Sequence, residues 1–272
     1  MTDSSRTPTL DDLVSQARAV PGRFSLDGAA AIMVGGTKGL GQAMALALAA
    51  AGADVCIVGR GPAGLIETAE AVSSLGRKGT SFAADVTDEG LVAEMVAFCR
   101  ETYGKVDILV NSQGVVHLQP SAEFDTDIWQ RVIDVNLKSV FLCCKHAGRE
   151  MLAQGRGKII NVSSVRGFQG RKGDMAYAPS KGAVNQLTHS LAIEWGPKGI
   201  NVNGIAPTFT RTAMSAPSLD DDQTRNWVLS RIPIGRVGEM EDLFGPVVFL
   251  ASSASDMVNG HVLPVDGGWL AA

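Results

Sequence analysis

The sequence is short of the features that mark nucleic-acid and membrane proteins. There is no excess of base: 24 Lys and Arg stand against 28 Asp and Glu in 272 residues, a formal charge of −4, whereas a nucleic-acid face needs clustered cations. The longest apolar run, Ala43 to Ala51, falls well below the ~20 residues of a membrane span. Met1 to Arg23 is polar and lacks a basic stretch followed by an apolar core, so a soluble protein of the cytoplasm is expected, with neither nucleic acid nor membrane as partner. Cysteine is scarce. Cys56, Cys99, Cys143 and Cys144 have no CxxC spacing and apolar or helical neighbours, which fits buried free thiols in a reducing compartment. His117, His146, His189 and His261 have no metal-like spacing, so no metal is expected, and only His117 falls near the expected site.

What is present is an alternation of short apolar runs with longer amphipathic stretches, the pattern of a parallel sheet covered by helices. Strands are expected at Ala29–Val34, Asp54–Val58, Thr80–Ala84, Val106–Val110, Lys158–Val162, Asn201–Ile205 and Val262–Val265. Helices are expected at Gln42–Ala51, Pro62–Leu75, from a Thr87/Asp88 cap to Tyr103, over Asp125–Gln154, and at Tyr177–Trp195. The fold class is therefore α/β, a doubly wound parallel seven-stranded sheet of the Rossmann type in one domain, 26–272. Residues 1–25 read as an N-terminal extension, with Thr9 to Val20 either a short amphipathic helix or a disordered tail. Regular patterning lapses between Thr208 and Gly238, longer than an ordinary connection and expected to be a substrate lid.

Two motifs carry chemistry. After the first strand, Gly35-Gly36-Thr37-Lys38-Gly39-Leu40-Gly41 puts glycines where backbone must approach a pyrophosphate and where a helix N-terminus faces the anion. Near the middle of the chain, Tyr177 precedes Lys181 by four positions on a helix, so phenol and ammonium share one face. A phenol ionises near pH ~10, and a fixed positive charge beside it favours phenolate, which allows proton exchange with a substrate oxygen.

These motifs resemble those of the short-chain dehydrogenase/reductase family, whose glycine turn reads TGxxxGxG and whose active site reads YxxxK, and the likeness spans Leu26 to Ala272. The resemblance implies a nicotinamide cofactor held by Gly35, Thr37, Lys38, Gly39, Leu40 and Gly41, with Val34 in place of the family's threonine. It implies further cofactor contacts from Asp85 and Val86 at the adenine, from Asn111 and Gly114 in Asn-Ser-Gln-Gly (where the family has Asn-Asn-Ala-Gly), and from Pro207, Thr210 and Thr212. Thr208 stands where the family has glycine, a place at which a β-branched residue resists positive φ. The second strand ends in Gly59 instead of the aspartate that accepts from a ribose 2′-hydroxyl, and Arg60 follows. Two cations, Arg60 and Lys38, without the acid favour a 2′-phosphate, so NADP(H) is expected in preference to NAD.

The same resemblance implies four catalytic residues. Ser164 would hold the substrate carbonyl, Tyr177 would exchange the proton, Lys181 would lower the tyrosine pKa and hold the nicotinamide ribose, and Asn136 would bind a water linking Lys181 to solvent. The expected reaction interconverts a secondary alcohol and a ketone by hydride transfer. Arg166, Gln169 and Arg171 follow Ser164 closely, and a cation pointing inward would bind a carboxylate. The closing third looks most like sugar-acid and polyol dehydrogenases of the gluconate 5-dehydrogenase type, and also like 3-oxoacyl-carrier-protein reductases. A catalytically silent, cofactor-sensing protein is the non-enzyme alternative. Relatives of this kind imply a homodimer or homotetramer.

Overall fold

The computed structural model describes residues 7–213 and 215–272, with the backbone but not the side chain of Ser218. Residues 1–6 of the expected extension and Met214 of the expected lid lie outside the described residues. Seven strands form one sheet: β1 (Ala30–Val34), β2 (Asp54–Gly59), β3 (Gly79–Ala83), β4 (Ile108–Asn111), β5 (Gly157–Val162), β6 (Ile200–Pro207) and β7 (Val262–Val265). Their order is β3-β2-β1-β4-β5-β6-β7, and every neighbouring pair is parallel. Strands with both faces covered need no polar alternation, and β1 and β4 are buried throughout.

The helices are α1 (Leu10–Arg18), α2 (Gly39–Ala50), α3 (Pro62–Ser74), α4 (Glu89–Tyr103), α5 (Thr126–Ile133), α6 (Ser139–Gln154), α7 (Tyr177–Trp195), α8 (Ala216–Asp220), α9 (Asp222–Ser230) and α10 (Phe244–Ala251). One apolar core joins Met95, Cys143, Met151 and Val184 to one face of the sheet. A second joins Met44, Leu48, Val72 and Val247 to the other. All four cysteines are buried and free. No helix among the described residues is long and apolar enough to cross a membrane.

Three expectations are refined. The helical region Asp125–Gln154 is helical from Thr126 to Gln154, with a π-helical turn, Asp134–Lys138, between α5 and α6. The segment after β6 is not irregular throughout, since α8 and α9 lie in it. Its ends are tied by a bridge between Thr210 and Gly238, and Val165, Leu219, Val228, Ile232, Val237 and Trp269 form a small core of their own beneath it. At the N-terminus, α1 is a helix with a capping box between Thr9 and Asp12, which satisfies donors that a free helix start leaves unpaired.

Candidate active site

Order in the sheet reverses between β1 and β4, and in doubly wound sheets the crevice beyond the strand C-termini at such a point takes the ligand. A cleft of about 660 Å³ lies there, within the range of small-molecule sites. Its floor begins at the glycine turn. Gly35 has φ +77°, and a Cβ on it would stand 2.8 Å from the Gln113 nitrogen. A Cβ on Gly41 would collide with the Gly35 carbonyl, so only glycine lets α2 start this close to β1. The helix begins at Gly39, inside the stretch expected to be turn. This cradle fits the pyrophosphate of a dinucleotide, with backbone N–H groups free of side chains and a helix N-terminus behind them.

Gly59 faces Thr37, whose methyl would lie 2.7 Å from any added Cβ. Thr37 thus fills the space that a carboxylate at position 59 would need. Arg60 and Lys38 are exposed and line the same end of the cleft. Asp85 lines it too, but its carboxylate accepts from both the Thr87 N–H, at 3.1 Å, and the Thr87 hydroxyl, at 2.8 Å. These bonds, with Arg60 and Arg131 nearby, hold its pKa below the ordinary value.

At the other end of the cleft α7 presents Tyr177 and Lys181. Three residues before that helix, Asp174 accepts from the Ala178 N–H of its first turn at 2.9 Å. Lys181 is 3% exposed and donates to the Val162 carbonyl at 2.7 Å, while its Nζ lies 5.8 Å from the Tyr177 ring centre. Burial alone pushes the ammonium down to about 8. Burial raises the Tyr177 pKa; hydrogen bonding from Ser164 opposes this, Asp174 adds to the rise, and Arg166 and Arg171 oppose it. Lys181 thus stands over the ring while its ammonium is engaged by a backbone carbonyl.

Ser164 lines the cleft beside them, and its Oγ accepts from the Arg166 N–H at 3.1 Å. Asn136 does not line it. Wholly buried in the π turn, it donates to the Val115 carbonyl at 2.9 Å and to Ser180 Oγ at 3.1 Å, and accepts from the Val115 N–H at 2.8 Å. Its side chain is therefore committed to Val115 and Ser180. A Cβ on Gly114 would lie 3.5 Å from Asn136 Oδ1 and 3.6 Å from Lys181 Nζ, so the two residues do converge behind Gly114.

Of the expected cofactor residues, Gly35, Thr37, Lys38, Gly39, Leu40, Gly41, Arg60, Asp85, Val86, Gly114, Tyr177, Lys181, Pro207, Thr210 and Thr212 all line the cleft. Asn111 does not. It is 1% exposed and donates to Asn161 Oδ1 at 2.9 Å, Asn161 in turn donating to Thr188 Oγ1 at 3.0 Å. This buried chain ties β4 to β5 and α7, which makes Asn111 a positioning residue. Thr208 needs no left-handed backbone, because among the described residues every positive φ belongs to glycine. Arg166 and Arg171 reach the cleft, whereas Gln169 lies outside it, accepting from the Trp269 indole N–H at 3.0 Å. His117 also lies outside, packed edge-on against Phe124.

Two supporting residues escaped the sequence reading. Gln113 lines the cleft and donates to Ser139 Oγ at 2.9 Å, joining the end of β4 to the start of α6. Asn185 donates to the Gly167 carbonyl at 3.1 Å and accepts from the Ser163 hydroxyl, which pins the loop after Ser164 to α7. Its signal was available: Tyr177, Lys181 and Asn185 are spaced four apart and so share a helix face.

Comparison with known proteins decides the family. The family model described as "Enoyl-(Acyl carrier protein) reductase" matches residues 34–270. This chain is a short-chain dehydrogenase/reductase. It is 46% identical over 247 residues, 91% of this chain and 96% of the relative, to a 2-dehydro-3-deoxy-D-gluconate 5-dehydrogenase of Bacillus subtilis. It is 38% identical, over 91% of this chain and 97% of the relative, to a gluconate 5-dehydrogenase of Gluconobacter oxydans. Among solved structures it resembles a gluconate 5-dehydrogenase from Burkholderia cenocepacia in complex with NADP and tartrate, with a TM-score of 0.89, 37% identity, and coverage of 92% of this chain and 98% of that one. As a short-chain dehydrogenase/reductase, the protein is an NAD(P)-dependent enzyme that interconverts a secondary alcohol and a ketone by hydride transfer. The silent, cofactor-sensing alternative falls with that assignment.

Proposed function

We propose that the substrate is a sugar acid, oxidised or reduced at a CH–OH carbon with NADP(H) as the preferred cofactor. The observation that carries this reading is the position of Arg171 and the buried Arg166 in the same cleft as Ser164 and Tyr177. A carboxylate at one end of a small polyhydroxy chain would meet a guanidinium while an alcohol carbon sits at the tyrosine, and Arg–carboxylate pairs add geometric specificity to charge. The names of the relatives from B. subtilis and G. oxydans support a sugar acid over a 3-oxoacyl thioester. The NADP in the B. cenocepacia structure and the pairing of Arg60 and Lys38 with Gly59 support the cofactor preference.

In this reading the glycine turn, Arg60, Asp85, Val86 and Lys181 hold the nucleotide, which when bound supplies or receives the hydride. Tyr177 passes its hydroxyl proton to the ketone oxygen during reduction and takes it back during oxidation. Ser164 holds that oxygen by a hydrogen bond and so fixes its distance from the phenol. Asn136 and Asn111 act through their neighbours, the first fixing Val115 and Ser180 around Lys181, the second fixing β4 against β5. Residues 208–238 cover the bound substrate, and the enzyme works in the cytoplasm as a homodimer or homotetramer.

The deciding experiment compares aldonates, neutral polyols and a 3-oxoacyl thioester with the purified enzyme, wild type and Arg171→Gln. The substitution raises KM for an aldonate about tenfold or more and leaves KM for a polyol of equal length nearly unchanged, because a charge-assisted contact remote from the reacting carbon is lost. Equal effects on both, or a thioester turned over faster than any aldonate, sink the sugar-acid reading.

A further inference from the structure

Behind the loop that carries Arg166 lies a second cavity of about 350 Å³, lined by Arg166, Gln169, Gly170, Arg171, Lys172, Trp227, Arg231 and Trp269. Four of the eight lining residues are cations and none is an acid. The cavity is built. Arg231 stands over the Trp227 ring, 5.7 Å from its centre, and Trp227 meets Trp269 edge to face at 5.6 Å. Trp269 carries Arg166 over its own ring at 5.3 Å. Cation–π contacts of this kind hold guanidinium groups in place without neutralising them.

Arg166 is 8% exposed, and apart from one bond from Nη1 to the Gly170 carbonyl at 3.3 Å its guanidinium lacks partners: Nη2 is buried with none. A buried charged donor left unpaired is costly. Burial and the neighbouring Arg171 and Arg231 work against its charge, and only Asp174 and Tyr177 favour it. An anion entering the cavity would relieve the repulsion between the arginines around it.

We infer that this cavity binds the phosphate group of a small molecule, apart from the nucleotide and the reacting carbon, with Arg166, Arg171, Lys172 and Arg231 around the oxyanion. Planar guanidinium forks match phosphate oxygens, and the half-exposed face of Trp227 would carry the apolar side of an organic ester. Inorganic phosphate and a phosphorylated sugar share this chemistry. Arg166 and Arg171 also line the catalytic cleft, where the proposed function gives them the substrate carboxylate, so Lys172 and Arg231 are the cations that distinguish this site.

The test titrates inorganic phosphate, and separately a hexose 6-phosphate, into the NADP-saturated enzyme by calorimetry at low salt. Lys172 and Arg231 are exposed, so both substitutions to Gln should fold; Lys172 lies outside the catalytic group and the substrate-covering segment, so Lys172→Gln should also keep its turnover in phosphate-free buffer, while Arg231→Gln is read by phosphate binding alone. Saturable binding to the wild type, weakened about tenfold by each substitution and unchanged by Arg60→Ala, supports the site. Tighter binding of the ester then assigns Trp227 a role, and equal binding assigns inorganic phosphate as the occupant. No saturable binding of either probe overturns the inference. So does binding that survives Arg231→Gln and Lys172→Gln together, or binding lost in Arg60→Ala alone, which would belong to the nucleotide cleft.

Discussion

At the scale of single residues, the chemistry depends on how the buried Lys181 and the half-buried Tyr177 share one helix face. Tyr177→Phe keeps the ring and removes the phenol proton, so turnover falls by a factor of about 100 or more while NADPH affinity stays near that of the wild type. Residual activity within tenfold of wild type would remove Tyr177 from its assigned role. The sign of the pH dependence follows from the same environment. Burial raises the phenol's pKa, so at neutral pH the residue is a proton donor, ready for ketone reduction, whereas alcohol oxidation needs it deprotonated. Lys181, pushed down to about 8, loses its charge above that pH. Rates of oxidation therefore climb from neutral into alkaline solution, and rates of reduction hold level and then decline above about pH 8, as Lys181 loses its charge while the phenol still keeps its proton. Steady-state kcat/KM profiles in both directions check this. An oxidation profile that falls with rising pH contradicts it.

At the scale of elements, the π turn between α5 and α6 is what delivers Asn136. Wider turns of this kind recur at functional sites because the inserted residue re-aims its neighbours. Here the turn lets one buried amide satisfy both the N–H and the C=O of Val115, backbone groups just past β4 that no strand partners. Asn136→Ala strands both, at a cost of about 1 to 3 kcal/mol each, so the variant melts several degrees lower and loses rate through displaced Lys181 and Gly114. A melt unchanged from wild type alongside a lost rate would mean that Asn136 acts on the reacting groups directly. The loop after Ser164 is held in a similar way by Asn185 and Ser163, and residues 208–238 stand on their own small core around Trp269 and Val228.

At the scale of the whole molecule, a dinucleotide binding in this cleft joins the β1–β3 half of the sheet to the β4–β7 half, since residues from both line it. A ligand bound only by the folded state stabilises it by RT ln(1 + [L]/Kd), about 2.7 kcal/mol at a hundredfold excess over Kd. If Arg60 holds a 2′-phosphate, NADPH raises the melting temperature more than NADH at equal concentration, and Arg60→Ala erases the difference without lowering the melting temperature of the free protein. A wild type stabilised more by NADH would reverse the proposed preference.

The strands, their parallel arrangement, the glycine cradle and the Tyr177 and Lys181 pair were legible in the sequence, because each depends on local rules: apolar run length, glycine where a Cβ cannot fit, and helical spacing of four; Ser164 was legible only through the family resemblance. Helix boundaries near Gly39 and the π turn were not, since intrahelical and tertiary hydrogen bonds compete there and the sequence around Asp134 reads as ordinary helix. Nor could spacing alone say that Asn111 lies under the sheet, that Gln169 turns away to Trp269, or that Asn136 bonds to Val115, because each depends on contacts between distant segments. The same holds for charge. The sequence determined that Tyr177 and Lys181 share a face, but only the tertiary structure decided that burial outweighs attraction at the phenol, that Val162 holds the ammonium, and that Arg166 is buried with a donor to spare, since desolvation depends on everything packed around a group and on nothing in its own few neighbours.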